Sequence, residues 1–424
     1  MPLEKTERPA SNGTCNSTVK GGDGPTIPAA QQSLDLERAW QFSKGAGQVV
    51  AVIDTGVAPH PRLPGLRAEG DYVANSGDGS EDCDAHGTFV AGLIAATRVD
   101  GQGFAGVAPE AQIMSIRQTS KLYQKEGASQ NKRPEDYPEG YGSTTTMAKA
   151  IVRAVDKGAT VINISLVACG ISNTGDLDVG AALKYAVDQN VVVVASAGNE
   201  EDRCKTPNQV IDPLDPTADP WSNVSTQITP VRWDEYVLSV GSIDANGAPS
   251  SFTVPGPWLS VAAPGSDMTS LNPIQDNGQW TTAVGKVERD KQLSISGTSF
   301  ASPIVAGVVA LVRARFPEMS AREVMKRIQA TAHAPAEGWN KYIGYGAVDP
   351  VAALTDVVSG ELPPKRPTPA KSQQLAVPKA PPPPDNTARN VSLIGTGIIG
   401  SALILGYLAS FPIRRRFGVR NDEA

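Results

Sequence analysis

The sequence predicts an α/β fold in which a mainly parallel sheet lies between helices, followed by one C-terminal transmembrane helix. Three observations lead to this prediction: short apolar runs, helical patterns that alternate with them, and a long charge-free segment near the C-terminus. Strands buried on both faces show no polar alternation, and strands that alternate with helices form parallel sheets. The charge-free segment is long enough to cross a bilayer.

The composition is that of a globular protein with an acidic balance. Apolar residues make up 40% of the chain, enough to bury a core, and the net charge is −6. Nucleic-acid binding needs clustered Lys and Arg, so this balance argues against a nucleic-acid partner. No zinc site is expected, because the four widely spaced cysteines include no Cys-x-x-Cys pair, and no metal ligands or cofactor are assigned. Calcium binding stays open, because scattered Asp and Asn loops are common on any protein surface.

The first elements follow in chain order. Residues 1–30 are polar and are expected to form an irregular N-terminal arm, and Gln31–Trp40 suits a short helix. Val49–Ile53 is a continuous apolar run that ends at Asp54, as a buried parallel strand would. On the same grounds further strands are expected at Ala111–Ile116, Val161–Leu166, Val191–Ala195 and Tyr236–Ser242, with helices at Thr146–Lys157 and Asp178–Gln189.

The globular domain is expected to span residues 31–358. Residues 117–145 interrupt its pattern with a polar segment, which predicts an inserted surface loop. Residues 359–390 are proline-rich and cannot build a core, so they are expected to form an extended linker.

Val391–Phe411 is predicted to be the transmembrane helix. It carries no charge, and a buried core helix, the alternative, would need a surrounding domain. Arginines follow it at positions 414, 415, 416 and 420, so residues 412–424 are expected in the cytoplasm and residues 1–390 outside. Met1–Ile27 has no apolar signal core, so either a signal peptide was already removed or export uses only the C-terminal anchor. Removal is favoured, because the orientation of the anchor needs an exported N-terminus.

Three short segments together indicate nucleophilic catalysis. Asp54 ends a strand before Gly56, His86 opens an apolar helix in the run Asp84–Gly92, and Ser299 stands at a helix start within Ser296–Pro303. Taken singly, these residues are more often turn, helix and cap residues. Together they supply a hydroxyl nucleophile, an imidazole base and a carboxylate that orients the base.

These motifs, in the order Asp, His, Ser, resemble those of the subtilase family over about residues 30–355. The resemblance implies a subtilisin-like three-layer fold and a serine endopeptidase with catalytic Asp54, His86 and Ser299. It also implies an oxyanion hole formed by Asn199 and the Ser299 backbone N–H. The alternative for Asn199 is a left-handed turn residue beside Gly198.

The same resemblance places the substrate as an added strand along the segment that contains Ser165 and Leu166, with Ala197 and Gly198 as the facing wall. Subtilases usually carry glycine after Ser-Leu, whereas Val167 stands here, which predicts a narrower groove and a restricted substrate range. Phe89 and Phe300 replace the more usual His and Met and are expected to lie off the proton path.

A closer resemblance is to the mycosins, the membrane-anchored subtilases of type VII secretion systems. It is carried by the N-terminal arm with Cys15, the insert before Thr144, the cysteines beside the active-site segments, and the proline-rich linker with a terminal anchor. It implies protein or peptide substrates, subunits of the secretion membrane complex as partners, and a single-pass membrane location.

Two functions stay open: a processing protease, or a mainly structural subunit whose catalysis is dispensable. A general degradative protease fits poorly with the tether and Val167.

The cysteines are predicted to form two disulfides. Val161–Leu166 and Val191–Ala195 are expected to be neighbouring strands, and Cys169 and Cys204 follow the same ends of them. Cys15 then pairs with Cys83 by elimination, which would make the arm a fixed part of the fold and not a removable propeptide. Four reduced thiols are the alternative, disfavoured in an oxidising compartment.

Overall fold

The computed structural model describes residues 5–8, 15–127, 140–170, 176–200, 204, 208, 219–288, 291–365 and 385–417. The chain divides into two compact units, Met1–Pro369 and Ala370–Ala424. The strands are β1 Thr6–Glu7, β2 Ser17–Lys20, β3 Val49–Asp54, β4 Arg67–Asp71, β5 Gln112–Arg117, β6 Gln124–Lys125, β7 Val161–Ile164, β8 Ala168–Gly170, β9 Val192–Ser196, β10 Gln227–Thr229, β11 Val237–Ile243, β12 Leu259–Pro264, β13 Ser270–Leu271, β14 Thr282–Glu288 and β15 Lys291–Ser294. The helices are α1 Ala29–Gln32, α2 Leu36–Ala39, α3 His86–Ala95, α4 Thr144–Asp156, α5 Leu177–Asp188, α6 Thr298–Arg315, α7 Ala321–Ala330, α8 Pro350–Thr355 and α9 Thr387–Arg416.

A seven-stranded sheet in the order β12-β11-β9-β7-β3-β5-β4 forms the centre of the first unit. Every neighbouring pair in it is parallel. Helices α3 and α6 cover one face, and α4 and α5 cover the other. The predicted three-layer α/β fold is therefore confirmed.

Strand β3 shows why the apolar runs do not alternate with polar residues. Val50 and Val52 pack into the core on the α6 side, whereas Ala51 and Ile53 pack into the core on the α4 side. All four are fully buried. Because side chains of a strand point alternately to the two faces, a strand covered on both needs apolar residues throughout.

The N-terminal arm was wrongly expected to be irregular. Strand β2 pairs with β14 and joins an antiparallel sheet with β13 and β15, while β1 pairs with β6 of the insert. These pairings join residues far apart in sequence, so a local pattern does not show them.

The prediction of one helix at Gln31–Trp40 is also wrong. Asp35 takes a left-handed φ of 44° and separates α1 from α2.

Both disulfides have the predicted pairing. Cys15 and Cys83 have Cα atoms 4.4 Å apart, and Cys169 and Cys204 have Cα atoms 5.5 Å apart. The Asn16 N–H also donates to the Cys83 carbonyl at 2.9 Å. The arm is thus fixed beside the segment that leads to His86. Cys169 lies in a separate strand, β8. The strand that was expected to run to Leu166 is β7, and it ends at Ile164.

The second unit is represented by α9, which contains the whole charge-free segment. Its stretch Thr387–Ile413 is long and apolar enough to cross a membrane, and its side chains are exposed. The helix extends beyond both predicted ends, Val391 and Phe411, because backbone hydrogen bonding continues past the apolar run into flanking polar residues. Most of the predicted linker, the insert from 128 to 139 and the tail after 417 lie outside the described residues.

Candidate active site

Asp54 and His86 are joined by a short hydrogen bond. Asp54 is the last residue of β3 and is fully buried, and His86 is the first residue of α3. The His86 Nδ1 to Asp54 Oδ1 distance is 2.6 Å, and the same Oδ1 accepts from the Thr55 N–H at 2.7 Å. Because Nδ1 donates to the carboxylate, Nε2 of the neutral ring is left as a base.

Ser299 is the second residue of α6, and its hydroxyl donates to the Ser165 carbonyl at 3.0 Å. Within the described part of the chain it has no hydrogen bond to the His86 ring. The Ser165 hydroxyl donates to the Ser299 carbonyl at 2.7 Å and lies 2.9 Å from the Ser302 hydroxyl. Asn163 donates to Ser165 Oγ at 2.9 Å. A buried polar network thus fixes the first turn of α6 against β7.

The side-chain amide of Asn199 has a defined orientation. Its Oδ1 accepts from the Thr298 N–H at 2.9 Å and from the Thr298 hydroxyl at 3.0 Å. The amide NH₂ is therefore directed away from Thr298, beside the turn at Gly297. Gly198, with φ +98°, takes the positive backbone angle at this position. The turn alternative for Asn199 therefore does not describe this structure.

A cavity of about 530 Å³ adjoins Asn199. One wall consists of Leu166, Val167 and the Cys169–Cys204 disulfide. A methyl group added to Gly198 would lie 3.7 Å from Cγ2 of Val167, so the valine faces the Gly198 backbone. The structure thus brings Leu166, Val167 and Asn199 to the cavity.

The side chains of Ser165 and Ala197 are turned away from this cavity and into the core. Ser165 is 2% exposed and Ala197 is fully buried. Gly198 has no side chain and uses its N–H on the Thr298 hydroxyl, at 3.1 Å. Only backbone groups of these three residues remain for any contact with a substrate.

Phe300 was wrongly expected to lie away from the proton path. Its ring centroid is 5.1 Å from that of His86, and Phe89 follows at 6.4 Å from Phe300. Helices α3 and α6 pack together and place the residue after Ser299 against the imidazole. The apolar ring shields one side of His86, which is 19% exposed.

Asp82, which sequence reasoning missed, links the segments that carry Asp54 and His86. It accepts from the Thr55 hydroxyl at 2.8 Å and from the Thr88 N–H at 2.8 Å. Burial raises the pKa of the Asp82 carboxyl to about 6, against the opposing effect of the Thr88 hydrogen bonds. Its position four residues before His86 was the available signal.

The other two histidines have structural surroundings. His60 is buried with its ring against Trp280, at 4.6 Å between centroids, and the exposed His333 pairs with the half-buried Asp349. Within the described ranges, no group of three His, Cys, Asp or Glu side chains could hold a metal ion.

Comparisons with known proteins agree with this geometry. The Subtilase family model matches residues 45–346. Mycosin-4 of Mycobacterium tuberculosis (strain ATCC 25618 / H37Rv) is 44% identical, over 100% of this chain and 90% of its own. The structure of the MycP3 protease from the type VII (ESX-3) secretion system is 42% identical, with a TM-score of 0.75, over 84% of this chain and 95% of its own.

A chain in the structure of an intact ESX-5 inner membrane complex is also similar. It is 39% identical with a TM-score of 0.76, and the match covers 97% of this chain and 96% of that one. The match over almost the whole length extends beyond the peptidase domain. This chain belongs to the subtilase family of serine proteases and, within it, to the mycosins.

Proposed function

We propose that this chain is a membrane-anchored serine endopeptidase that cleaves secreted proteins through an acyl-enzyme formed on Ser299. The observation that carries the proposal is the 2.6 Å hydrogen bond from His86 Nδ1 to the buried Asp54 carboxylate. It fixes the imidazole tautomer that can take a proton from a serine hydroxyl. Ser299, at the start of a helix packed against α3, is the nucleophile of the family motif.

The reaction begins with a change of hydrogen-bond partner. The Ser299 hydroxyl leaves the Ser165 carbonyl and turns to His86 Nε2, which takes its proton as the oxygen attacks the scissile carbonyl. The Asn199 amide and the Ser299 N–H donate to the oxyanion that forms. His86 then protonates the leaving amine, and a water activated by the same ring releases the acyl group.

The substrate is proposed to bind as an extended strand along the backbone of Ser165, Leu166 and Val167, opposite Ala197 and Gly198. This fits the buried side chains of Ser165 and Ala197, since pairing between strands uses backbone groups. The Val167 side chain on the cavity then limits which substrate side chains enter.

Membrane attachment is proposed through α9. Residues 1–30 form the arm, 31–358 the peptidase domain with its insert at 117–145, 359–390 the linker, 391–411 the span and 412–424 a cytoplasmic tail. The peptidase domain then lies outside the cytoplasm. A periplasmic assembly of the ESX-5 inner membrane complex contains a chain that is 41% identical, with a TM-score of 0.77. This similarity supports a location of the peptidase domain outside the cytoplasm.

We also propose that the chain is a subunit of a type VII secretion membrane complex. The similar chain in the intact ESX-5 inner membrane complex, which this chain matches over 97% of its length, supports this role. The alternative, that the fold serves mainly to stabilise the complex while catalysis is dispensable, is favoured by the same similarity.

One experiment tests the catalytic proposal. The full chain in detergent, its Ser299→Ala variant and a Ser294→Ala control, four residues from the helix start, are treated with a fluorophosphonate probe. Labelling of the wild type and of the control, but not of Ser299→Ala, is expected. Labelling that persists without Ser299 would assign the nucleophile elsewhere.

A second experiment separates the two roles. A deletion strain is complemented with wild type or with Ser299→Ala, and both secretion and substrate processing are measured. Loss of both with the variant is expected if catalysis drives secretion. Normal secretion with unprocessed substrate would show that the complex requires the fold alone.

A further inference from the structure

The Asp82 carboxylate joins the segment after Asp54 to the first turn of α3. Its Oδ1 accepts from the hydroxyl of Thr55, the residue that follows Asp54. Its Oδ2 accepts from the N–H and the hydroxyl of Thr88, two residues after His86, at 2.8 and 2.6 Å. One side chain therefore contacts both segments that carry the Asp54–His86 pair.

Both threonine hydroxyls extend this link. Thr55 Oγ1 accepts from the Gly87 N–H at 2.9 Å, and Thr88 Oγ1 accepts from the Ala58 N–H at 2.9 Å. Each hydroxyl thus accepts from the opposite segment and gives its only proton to Asp82. The arrangement requires an acceptor at both oxygens of residue 82, which an ionised carboxylate supplies and an amide does not.

The two segments are in direct backbone contact at this point. A Cβ built on Gly87 would lie 1.9 Å from the Gly56 carbonyl oxygen. A small shift of one segment against the other therefore moves His86 relative to Asp54, and misplacement by ~1 Å is enough to cost about 100-fold in rate.

The chain around Asp82 is itself held from the outside. Cys83 is bonded to Cys15 of the arm, and the Asp84 carboxylate accepts from the Ser120 hydroxyl at 2.5 Å and the Lys121 N–H at 2.9 Å. Asp82 therefore stands on a fixed backbone, as a side chain that determines an alignment must.

We propose that Asp82 is a positioning residue, which aligns His86 with Asp54 by holding Thr55 and Thr88 together. Its hydrogen bonds go to the threonines, so it acts through them and takes no part in proton transfer. The consequence for catalysis rests on the proposed function, whereas the alignment can be measured without any turnover.

The first test is Asp82→Asn in the full chain, with Asp78→Asn, an exposed residue of the same loop, as the matched control. Asp82→Asn is expected to slow fluorophosphonate inactivation and kcat about 10- to 100-fold with KM within about twofold. Asp78→Asn keeps the wild-type rate. An Asp82→Asn variant that stays folded and reacts at the wild-type rate overturns the proposal.

A double-mutant cycle shows whether Asp82 acts through Thr55. Thr55→Val deletes the hydroxyl and is expected to slow the reaction, whereas Thr55→Ser, which keeps the hydroxyl, loses much less. The variant with both Asp82→Asn and Thr55→Val should be little slower than either single variant, because both break the same link. If the rate losses of the two single variants multiply in the double variant, the proposal is contradicted. If Asp82→Asn fails to fold, the comparison of Thr55→Val with Thr55→Ser still tests the link.

A spectroscopic measurement separates this inference from the proposed function. The proton shared by His86 Nδ1 and Asp54 is expected to give a strongly downfield NMR signal, absent in His86→Ala. Asp82→Asn is expected to shift or broaden this signal. An unchanged signal would refute the proposed role of Asp82 in aligning His86 with Asp54. If the wild type shows the signal but reacts with no probe, the catalytic proposal fails while the effect of Asp82→Asn on the signal still decides the alignment.

Discussion

Asn199 accepts two hydrogen bonds from Thr298, one from the backbone N–H and one from the hydroxyl. Both donors go to Oδ1, which leaves the amide NH₂ as the group available for the proposed oxyanion hole. The same pair fixes the residue before Ser299. A change at Asn199 therefore tests the oxyanion hole with little effect on substrate binding.

Asn199→Ala should lower kcat about 100- to 1,000-fold with KM nearly unchanged, as removal of the equivalent kind of donor does in a subtilisin. Asn199→Asp is a sharper variant, because it can still accept from Thr298 but presents a carboxylate oxygen to the oxyanion. Steady-state kinetics of both, with Asn246→Ala in an exposed turn as control, provide the measurement. A rise in KM at constant kcat would assign Asn199 to substrate binding instead.

Val167→Gly should broaden the substrate range. The valine side chain lies on the cavity wall and faces Gly198, so its removal opens space for larger substrate side chains. We expect kcat/KM for peptides with bulky residues near the scissile bond to rise at least about 10-fold, because the change removes three carbon atoms and a single methylene in a pocket is already worth about 10-fold. A peptide library compared between wild type and variant measures it, and an unaltered profile would place the restriction elsewhere.

His60 should make the fold sensitive to mild acid. Burial, with a smaller contribution from Arg62, lowers its pKa from 6.5 to about 4. The unfolded chain then binds a proton at His60 more readily than the folded chain does. The contribution of the neutral His60 to the free energy of unfolding is therefore fully present above pH ~6.5 and is lost as the pH falls towards ~4. The shift corresponds to at most about 3 kcal/mol.

Urea unfolding of wild type and His60→Gln at pH 7 and pH 4.5 checks this expectation. Between pH 7 and pH 4.5, the free energy of unfolding should fall less for His60→Gln than for the wild type. An NMR titration with only three histidines in the chain gives the pKa directly, and a value near 6.5 for His60 would refute the argument.

The proposed membrane topology predicts which part of the chain an external protease reaches. Protease added to spheroplasts should digest the peptidase domain and leave a small membrane-bound fragment that contains α9. An epitope after residue 417 should survive until the membrane is permeabilised. A protected peptidase domain would reverse the orientation derived from the arginines.

Local patterns predicted five of the seven strands of the central sheet, because burial on both faces leaves a mark in a few consecutive residues. The same patterns did not predict its edge strands β4 and β12. They missed β15, whose four residues are all exposed, and β2, whose partner strand is more than 250 residues away in the chain. Such strands exist because of a pairing partner and not because of their own composition.

The candidate site shows the same division. Asp54, His86, Asn199 and Ser299 were predicted because each stands in a motif whose neighbours have fixed roles. The contact between Phe300 and His86 depends on how α3 packs on α6, which no single motif records. Asp82 was missed for a similar reason, since its partners Thr55 and Thr88 meet only in the folded chain.

The bond between Cys15 and Cys83 changes what a cut in the arm could achieve. A single peptide cleavage between these two cysteines would yield a two-chain molecule whose parts stay covalently joined, and β2 would remain paired with β14. After such a cut, release of the segment up to Cys15 would require reduction of the disulfide as well as proteolysis. A nick between Cys15 and Cys83 therefore leaves the N-terminal part attached, and its loss of mass would be visible only on a reducing gel.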